Sequence, residues 1–218
     1  MSTREIEIAG NSIIIQELDN VCDSVTGRPL TGAWLWDSAL ILAQFMSTHF
    51  DFQNKSVLEL GAGAGLPGLT AARLGATRVV LTDVKPLLPG LINNVEANGL
   101  GDRVEVRELV WGSDDLSQLS ELDEFDMVIM SDVFYDPEEM VGLGKTLKRV
   151  CGTGRHTVVW AVSEVRTRTG DCLHELIMSQ GFRVIELTCQ LGGGCPEAFA
   201  VYELTPPMHE ENFHVANT

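Results

Sequence analysis

Three glycines and one aspartate carry the clearest chemical signal in the sequence. Gly61, Gly63 and Gly65 follow a short apolar run, and residues 66–75 then have the pattern of a helix. Glycine lets the backbone approach a ligand closely because it has no Cβ, and the first turn of a helix offers unpaired N–H groups. Asp83 ends the next apolar run, where an acid that binds ribose hydroxyls is expected. This stretch therefore predicts a nucleotide-binding corner between a strand and a helix.

The glycine spacing leaves two classes of cofactor open. The pattern G-x-G-x-G at residues 61–65 is the form of S-adenosylmethionine sites, whereas a register shifted by two residues satisfies the dinucleotide fingerprint G-x-G-x-x-G. Asp83 lies 22 residues after Gly61 and 20 after Gly63, so it fits the ribose-binding acid in either register. A glycine-rich turn that binds nothing is a third interpretation, and the position of Asp83 counts against it.

A second signature is expected if the protein is a short-chain dehydrogenase. Such enzymes carry Y-x-x-x-K, and the sequence contains two tyrosines. Tyr135 is followed four residues later by Glu139, and Tyr202 by Pro206. Neither tyrosine fits, which counts against an oxidoreductase.

These residues must be positioned by strands that alternate with helices. Strands are predicted at residues 57–60, 77–82, 103–109, 125–130, 156–162, 182–189 and 198–204. Helices are predicted at residues 38–50, 66–75, 86–100, 137–150 and 170–180. The last two strands are joined by a glycine turn without a helix, so they must pair antiparallel. The predicted fold is α/β, with a Rossmann-like seven-stranded mixed sheet, its last strand antiparallel, and helices on both faces.

Ligands of such sheets bind outside the carboxyl ends of the strands, near the point where the strand order reverses. Residues at these ends are therefore candidates for a binding site. They are Gly61, Asp83, Trp111, the pair Ser131 and Asp132, and the pair Ser163 and Glu164.

The N-terminal segment is predicted to form a β-hairpin, because two strand-like runs flank the turn pair at residues 10–11. Residues 1–31 are thus an N-terminal β extension, residues 32–205 the main domain and residues 206–218 a loose polar tail. Trp34 and Trp36 follow the extension and share one face of an extended chain. Either both are core anchors, or one of them closes over a ligand.

The composition indicates a globular protein with an acidic surface. The net charge is 15 − 31 = −16, which disfavours a nucleic-acid partner. It suits a basic or neutral partner, or it only keeps the protein soluble. The five cysteines form no C-x-x-C pair, so reduced thiols, no metal site and a cytoplasmic or nuclear location are predicted. No apolar run reaches the roughly 18 residues of a membrane span, and no secretory signal is recognised.

Six stretches, in this order and spacing, are similar to a known family. They are GAWLWDSALILAQFM, VLELGAGAGLPGL, VVLTD, NNVEANG, LVWG and SDVFYDP. Together they resemble the seven-β-strand methyltransferases of family 16, the protein-lysine methyltransferases related to methyltransferase-like protein 21. The resemblance runs from about residue 32 to residue 162. Its most specific element is D-x-x-Y, formed by Asp132 and Tyr135.

The resemblance implies that the cofactor is S-adenosyl-L-methionine. Gly61, Ala62 and Gly63 match the loop under its methionine part, and Asp83 matches the acid that accepts both ribose hydroxyls. Glu59, before the loop, would order the loop amides or face the α-amino group. The remaining implied contacts are those of Trp36 over the methionine end, Trp111 beside the adenine and Ser131 before the D-x-x-Y element.

The resemblance also implies a protein substrate that presents a lysine. A monomer is expected, and no His/Cys/Asp cluster in the sequence suggests a metal. Asp132 would orient the lysine amine or pass its proton to water, and Tyr135 would wall the lysine channel. Glu164 and Arg166 resemble a later E-x-R stretch, for which an internal ion pair is expected. Three alternatives stay open: a small-molecule amine as substrate, a histidine or arginine side chain as substrate, or an inert S-adenosylmethionine-binding interaction protein.

The residues themselves also allow structural interpretations. Asp132 could cap the helix predicted from residue 137, although it lies early for an N-cap. Tyr135 and Trp111 could be ordinary core aromatics.

Overall fold

The structure, a computed structural model, describes residues 2–19, 21–22, 27–113, 125–152, 157–187 and 198–207. The strands are β1 (Ser2–Ile8), β2 (Asn11–Glu17), β3 (Ser56–Leu60), β4 (Arg78–Asp83), β5 (Val104–Glu108), β6 (Met127–Ser131), β7 (Val158–Glu164), β8 (Arg183–Leu187) and β9 (Phe199–Thr205). The helices are α1 (Asp37–His49), α2 (Leu66–Arg73), α3 (Leu88–Ala97), α4 (Met140–Cys151) and α5 (Thr169–Gln180). None of the helices within these ranges is long and apolar enough to cross a membrane.

A mixed sheet of seven strands forms the centre of the described chain, in the order β5-β4-β3-β6-β7-β9-β8. The first five strands of this order run parallel, and β9 pairs antiparallel with both β7 and β8. The predicted Rossmann-like sheet with an antiparallel last strand is therefore confirmed. The glycine turn predicted at residues 192–196 and most of the predicted tail lie outside the described residues.

Two hydrophobic cores lie on opposite faces of the sheet, because side chains alternate along each strand. On β3, Val57 belongs to the core that includes residues of α1, α2 and α3, whereas Leu58 belongs to the core that includes residues of α4 and α5. Helices therefore cover both faces, as predicted.

The helix predicted from residue 86 is divided in the structure. A 3₁₀ turn at Lys85–Leu87 comes first, and α3 begins at Leu88. Pro86 and Pro89 explain the division, because proline has no backbone N–H and is tolerated only in the first turn of a helix. The short turn matters for the site, since it begins two residues after Asp83.

The predicted N-terminal hairpin is formed by β1 and β2. Asn94 of α3 and Asn98, the residue at the C-cap of α3, hold it. Asn98 imitates a neighbouring strand: its Oδ1 accepts from the Ile14 N–H at 2.9 Å, and its Nδ2 donates to the Ile14 carbonyl at 2.7 Å. Asn94 makes the same pair with Gln16, at 2.8 and 3.2 Å, and also donates to the Ala64 carbonyl at 2.9 Å. The hairpin is thereby tied to α3 and, through Asn94, to the glycine loop.

We expect Asn98→Ala to lower the free energy of unfolding by about 2–3 kcal/mol, because it leaves the N–H and the carbonyl of Ile14 without partners. Urea unfolding measures the change. Asn93→Ala, at an exposed position of the same helix, is the matched control and should stay within about 0.5 kcal/mol of the wild type. Equal losses in the two variants would contradict a docking role for Asn98.

Candidate active site

The predicted site residues meet where the strand order of the sheet reverses. The chain passes from β3 outward to β4 and β5 and then returns to β6, on the other side of β3. Ligands of open α/β sheets bind in the crevice at such a point. A cavity of about 480 Å³ lies here, within the range of about 300–1,000 Å³ that is usual for small-molecule sites.

Nearly every residue predicted for the site lines this cavity. These residues are Trp36, Gly61, Ala62, Gly63, Asp83, Trp111, Ser131, Asp132 and Tyr135. Three predicted residues are not part of the described lining: Glu59, Ser163 and Glu164.

Two glycines shape the loop after β3. Gly61 has φ +64° and Gly63 has φ +54°, in the left-handed region that favours glycine. A Cβ at Gly61 would lie 3.0 Å from the Trp111 ring, and a Cβ at Gly63 would lie 3.0 Å from the Gly32 carbonyl oxygen. Glycine is therefore needed at both positions for the loop to pack against Trp111 and Gly32.

Asp83 holds the glycine loop and keeps capacity for a ligand. Its Oδ2 accepts from the Gly63 N–H at 2.8 Å, and its Oδ1 accepts from the Val84 N–H at 2.7 Å. Because a carboxylate has about four acceptor sites, each oxygen can accept a further hydrogen bond. Two such acceptors on one side chain suit the neighbouring hydroxyls of a ribose. Burial raises the pKa of Asp83 above its ordinary value.

Glu59 is fully buried and contacts α2 instead of the cavity. It alternates with Leu58 along β3, so it lies on the face that α2 covers, and its Oε2 accepts from the Gly68 N–H at 2.9 Å. Its Oε1 has no hydrogen-bond partner among the described residues. Burial raises the pKa of Glu59 to about 8, because a buried carboxylate without full pairing is costly. The carboxyl therefore orders the first turn of α2. The resemblance suggested that it orders the amides of the glycine loop, which precede this turn.

The raised pKa of Glu59 predicts a loss of stability as pH rises. Between the ordinary value of 4.5 and about 8, the folded protein keeps a proton that the unfolded chain has released. The free energy of unfolding should therefore fall across this window, by about 1.4 kcal/mol for each unit of pKa difference. Glu59→Gln removes this titration. In urea unfolding, the free energy of unfolding of the variant, relative to that of the wild type, should therefore be higher at pH 8 than at pH 5. Glu96→Gln, on the exposed face of α3, is the control, and pH slopes that are equal in Glu59→Gln and the wild type would contradict the prediction.

Trp34 and Trp36 line the cavity instead of anchoring the core. Their exposed fractions are 44% and 38%, while Leu35 between them is buried. Both tryptophans have extended backbones, which agrees with the shared face that the sequence predicted. The Trp36 indole N–H donates to the Thr31 carbonyl at 3.0 Å. Trp111 contacts a hydrophobic core and also lines the cavity, so its core interpretation describes only one side of the residue.

Asp132 follows β6 with φ +57°, a left-handed conformation that aspartate adopts more readily than most residues. Its N–H donates to the Val162 carbonyl of β7 at 2.8 Å. Its carboxylate accepts from the two Nη atoms of Arg166, at 3.0 and 2.8 Å, and Oδ1 also accepts from the Ser163 hydroxyl at 3.2 Å. Three of about four acceptor sites are thus used, which leaves one on Oδ2.

Tyr135 is 51% exposed and lines the cavity, so it is not a core aromatic. Partial burial, reinforced by nearby carboxylates such as Glu139, raises the pKa of its hydroxyl to about 12. The hydroxyl therefore stays protonated at neutral pH. The predicted helix begins with a 3₁₀ turn at Pro137–Glu139, before α4. Asp136 and not Asp132 caps this turn, because Asp136 Oδ1 accepts from the Glu138 N–H at 3.2 Å.

Arg166 is the main site residue that the sequence did not predict. The expected ion pair with Glu164 is present at 2.7 Å, but the same guanidinium also contacts Asp132 and lines the cavity. Because β7 lies beside β6, with Val162 opposite Ser131, a side chain just beyond β7 can reach the residue that follows β6. The rule that ligands bind outside the carboxyl ends of the strands pointed to Ser163 and Glu164. Arg166 lies two residues after Glu164.

The lining fits a cofactor that combines an adenosine with a cationic end. The glycine loop gives close backbone approach, Asp83 offers two acceptors for a diol, and indole rings offer flat apolar faces. Three carboxylates line the cavity against one guanidinium, those of Asp83, Asp132 and Glu139 against that of Arg166. Fold and site together define a Rossmann-like protein with a site of the S-adenosylmethionine type.

Comparison with known proteins gives the family. Residues 21–177 match the model of a family described as lysine methyltransferase, and the chain belongs to this family. The prediction of S-adenosyl-L-methionine as cofactor is thereby confirmed over a dinucleotide.

Relatives within the family differ in what their names say they methylate. The chain is 38% identical over 123 residues to protein N-lysine methyltransferase METTL21A of Mus musculus, covering 55% of each chain. It is 38% identical over 141 residues to EEF1A lysine methyltransferase 3 of Mus musculus, covering 63% of this chain and 58% of that protein. It is also 33% identical over 141 residues to histone-arginine methyltransferase METTL23 of Rattus norvegicus, covering 62% and 61%. The chain thus spans between about half and three fifths of the length of these relatives.

Solved structures share the fold. A ribosomal protein L11 methylase from Lactobacillus delbrueckii superposes with a TM-score of 0.58 at 16% identity, covering 79% of this chain and 80% of that one. The protein SMU.776, in complex with SAH, superposes with a TM-score of 0.59 at 14% identity, covering 93% of this chain and 55% of that one. At these identities the likeness concerns the fold.

Proposed function

We propose that the protein is an S-adenosyl-L-methionine-dependent methyltransferase that acts on a lysine side chain of a protein substrate. The observation that carries the proposal is the meeting of two groups of residues in one cavity. Asp83 and the glycine loop, suited to the cofactor, line the same cavity as Asp132 and Tyr135 of the D-x-x-Y element. The names of METTL21A and EEF1A lysine methyltransferase 3 support lysine as the acceptor.

The lining favours positively charged ligands. Its carboxylates outnumber its guanidinium by three to one, and the rings of Trp34, Trp36 and Tyr135 can stabilise cations through their faces. When bound, S-adenosyl-L-methionine supplies an electrophilic methyl carbon on a sulfonium, so that an N–C bond forms as the C–S bond breaks and S-adenosylhomocysteine is left. Gly61, Gly63 and Asp83 would hold the adenosine and methionine parts.

The substrate amine needs positioning and the loss of one proton. A lysine ammonium has a pKa of about 10.4 in water, and it must give its proton to solvent before its nitrogen has a lone pair. The free acceptor site on Asp132 Oδ2 would take one N–H of the amine and aim the lone pair. Tyr135 would contribute a neutral hydroxyl beside the amine, since its pKa of about 12 keeps it protonated. Positioning of this kind supplies a large part of the rate in a displacement reaction.

The test is methylation of a methyl-depleted cell lysate with S-adenosyl-L-methionine labelled in its methyl group. We expect label in the protein fraction with the wild type and none above background with Asp132→Asn. Label in small molecules alone would replace the protein substrate by a small amine. A wild type that binds S-adenosylhomocysteine but labels nothing would favour the inert binding protein.

A further inference from the structure

Arg166 joins two parts of the cavity that the proposed function assigns to different ligands. Its Nη1 and Nη2 donate to the two oxygens of Asp132, at 3.0 and 2.8 Å. Its Nε and Nη2 donate to Glu164 Oε2, at 3.0 and 2.7 Å. The guanidinium Cζ lies over the Trp36 ring, 5.3 Å from the ring centroid. One side chain therefore contacts the acid of the D-x-x-Y element and the tryptophan before α1.

The backbone that carries Arg166 is itself fixed. The Arg166 N–H donates to the Thr169 hydroxyl at 3.0 Å, and that hydroxyl donates to the Glu164 carbonyl at 3.2 Å. The Thr169 N–H returns a hydrogen bond to the Arg166 carbonyl at 3.1 Å, and Thr169 is buried. The guanidinium therefore extends from a closed turn at the start of α5, so little order has to be acquired when a ligand binds.

The other contact, Trp36, is fixed less firmly. The residue is 38% exposed, and in the described chain its indole N–H makes a single hydrogen bond, to the Thr31 carbonyl. Trp36 also stands at the N-terminus of α1 without capping that helix through its side chain. The Arg166 guanidinium, which lies over the ring, is thus the group that can hold the ring in place over the cavity.

We propose that Arg166 is a positioning residue that couples placement of Trp36 over the cofactor to placement of Asp132 beside the substrate amine. The inference rests on the proposed function, because that function gives Trp36 the cofactor side and Asp132 the substrate side. A planar fork is required for this role. Arginine can donate to both oxygens of Asp132 while its face stacks on an indole, whereas lysine is a point charge that cannot do both.

Calorimetric titration with S-adenosylhomocysteine tests the cofactor side without any methyl transfer. We expect Arg166→Ala to weaken binding by about three- to tenfold, the size of a lost cation–π contact. Trp36→Ala should weaken binding by at least as much. If the two residues act as one unit, the double variant binds no more than about twofold worse than Trp36→Ala alone. Losses that multiply would overturn the coupling and indicate a direct contact between Arg166 and the cofactor.

Methyl transfer at saturating S-adenosyl-L-methionine tests the substrate side. We expect Arg166→Lys to reduce kcat by about 30- to 100-fold, because a carboxylate displaced by about 1 Å loses that much. Arg168→Ala is the matched control: it removes an exposed arginine two residues away, paired with Asp136 at 3.1 Å, and should keep wild-type kcat. A kcat of Arg166→Lys within threefold of wild type would overturn the positioning role.

Thermal unfolding and the binding titration together distinguish a loss of folding from a loss of function. Thermal unfolding of each variant shows whether it is folded, and Arg166→Lys replaces Arg166→Ala in the titration if the alanine variant is not. If the wild type methylates nothing, the proposed function fails, while the binding cycle with S-adenosylhomocysteine still decides the link between Arg166 and Trp36. A change in unfolding temperature with unchanged affinity and kcat would mean that Arg166 only stabilises the fold.

Discussion

Asp132→Asn should reduce the rate of methyl transfer by about 100- to 1,000-fold while the cofactor still binds. Asparagine replaces one acceptor oxygen by an NH₂ group, so either the fork of Arg166 or the substrate amine meets a donor in place of an acceptor. The backbone should not change, because asparagine tolerates the φ of +57° at this position as well as aspartate does. Single-turnover labelling at saturating cofactor measures the rate.

The control for Asp132→Asn is Asp136→Asn, the same chemical change at the neighbouring cap. Asparagine is as good an N-cap as aspartate, so this variant should keep the wild-type rate. Affinity for S-adenosylhomocysteine should stay within about threefold of wild type in Asp132→Asn, because the residue lies on the substrate side. A full rate in Asp132→Asn would contradict the role of Asp132 as the residue that aims the amine.

Asp83→Ala should weaken cofactor binding by about 100-fold or more. Each hydrogen bond from a ribose hydroxyl to a charged carboxylate is worth about 1.5–3 kcal/mol, so two amount to about 3–6 kcal/mol. The variant also removes the acceptors of the Gly63 and Val84 N–H groups, which loosens the glycine loop. Titration with S-adenosylhomocysteine measures the loss.

Two variants make the Asp83 result specific. Asp83→Asn keeps one oxygen and the size of the side chain. Its affinity for S-adenosylhomocysteine should therefore be about tenfold lower than that of the wild type and higher than that of Asp83→Ala. Asp102→Ala changes an exposed aspartate in the turn before β5 and should bind as wild type does. Unchanged binding by a folded Asp83→Ala protein would contradict the assignment of Asp83 to the ribose.

The fold and most of the cavity lining could be predicted, because both follow from local patterns. Apolar runs give strands, parallel strands share a carboxyl edge, and the residues just after them meet there. Gly61, Asp83, Trp111, Ser131 and Asp132 were found in this way. Tyr135 and the substrate role of Asp132 needed the resemblance, since D-x-x-Y alone has no special meaning.

The position of Glu59 away from the cavity also follows from a local pattern. The alternation along β3 places it on the face opposite Leu58 and therefore against α2, so its distance from the cavity was readable from the sequence. Its carboxyl contacts Gly68, where a Cβ would lie 2.7 Å from Glu59 Oε2 and 2.2 Å from a methyl carbon of Leu81. That close approach depends on how β3, α2 and β4 pack together. The spacing of residues in the sequence does not show it.

Arg166 shows what local patterns cannot give. Its contact with Asp132 spans 34 residues and depends on β7 lying beside β6. It also depends on the turn closed by Thr169, which aims the side chain at Trp36. The sequence indicated the pair with Glu164, two residues away, because that partner is local.

Amino-acid analysis of the labelled protein tests most directly whether lysine is the methyl acceptor. After methylation of the lysate and removal of free cofactor, the protein fraction is hydrolysed and the labelled residues are separated. We expect the label in methylated lysine with the wild type, and its loss with Asp132→Asn. Label in methylarginine or methylhistidine would contradict lysine as the acceptor, and methylarginine would agree with the acceptor in the name of METTL23.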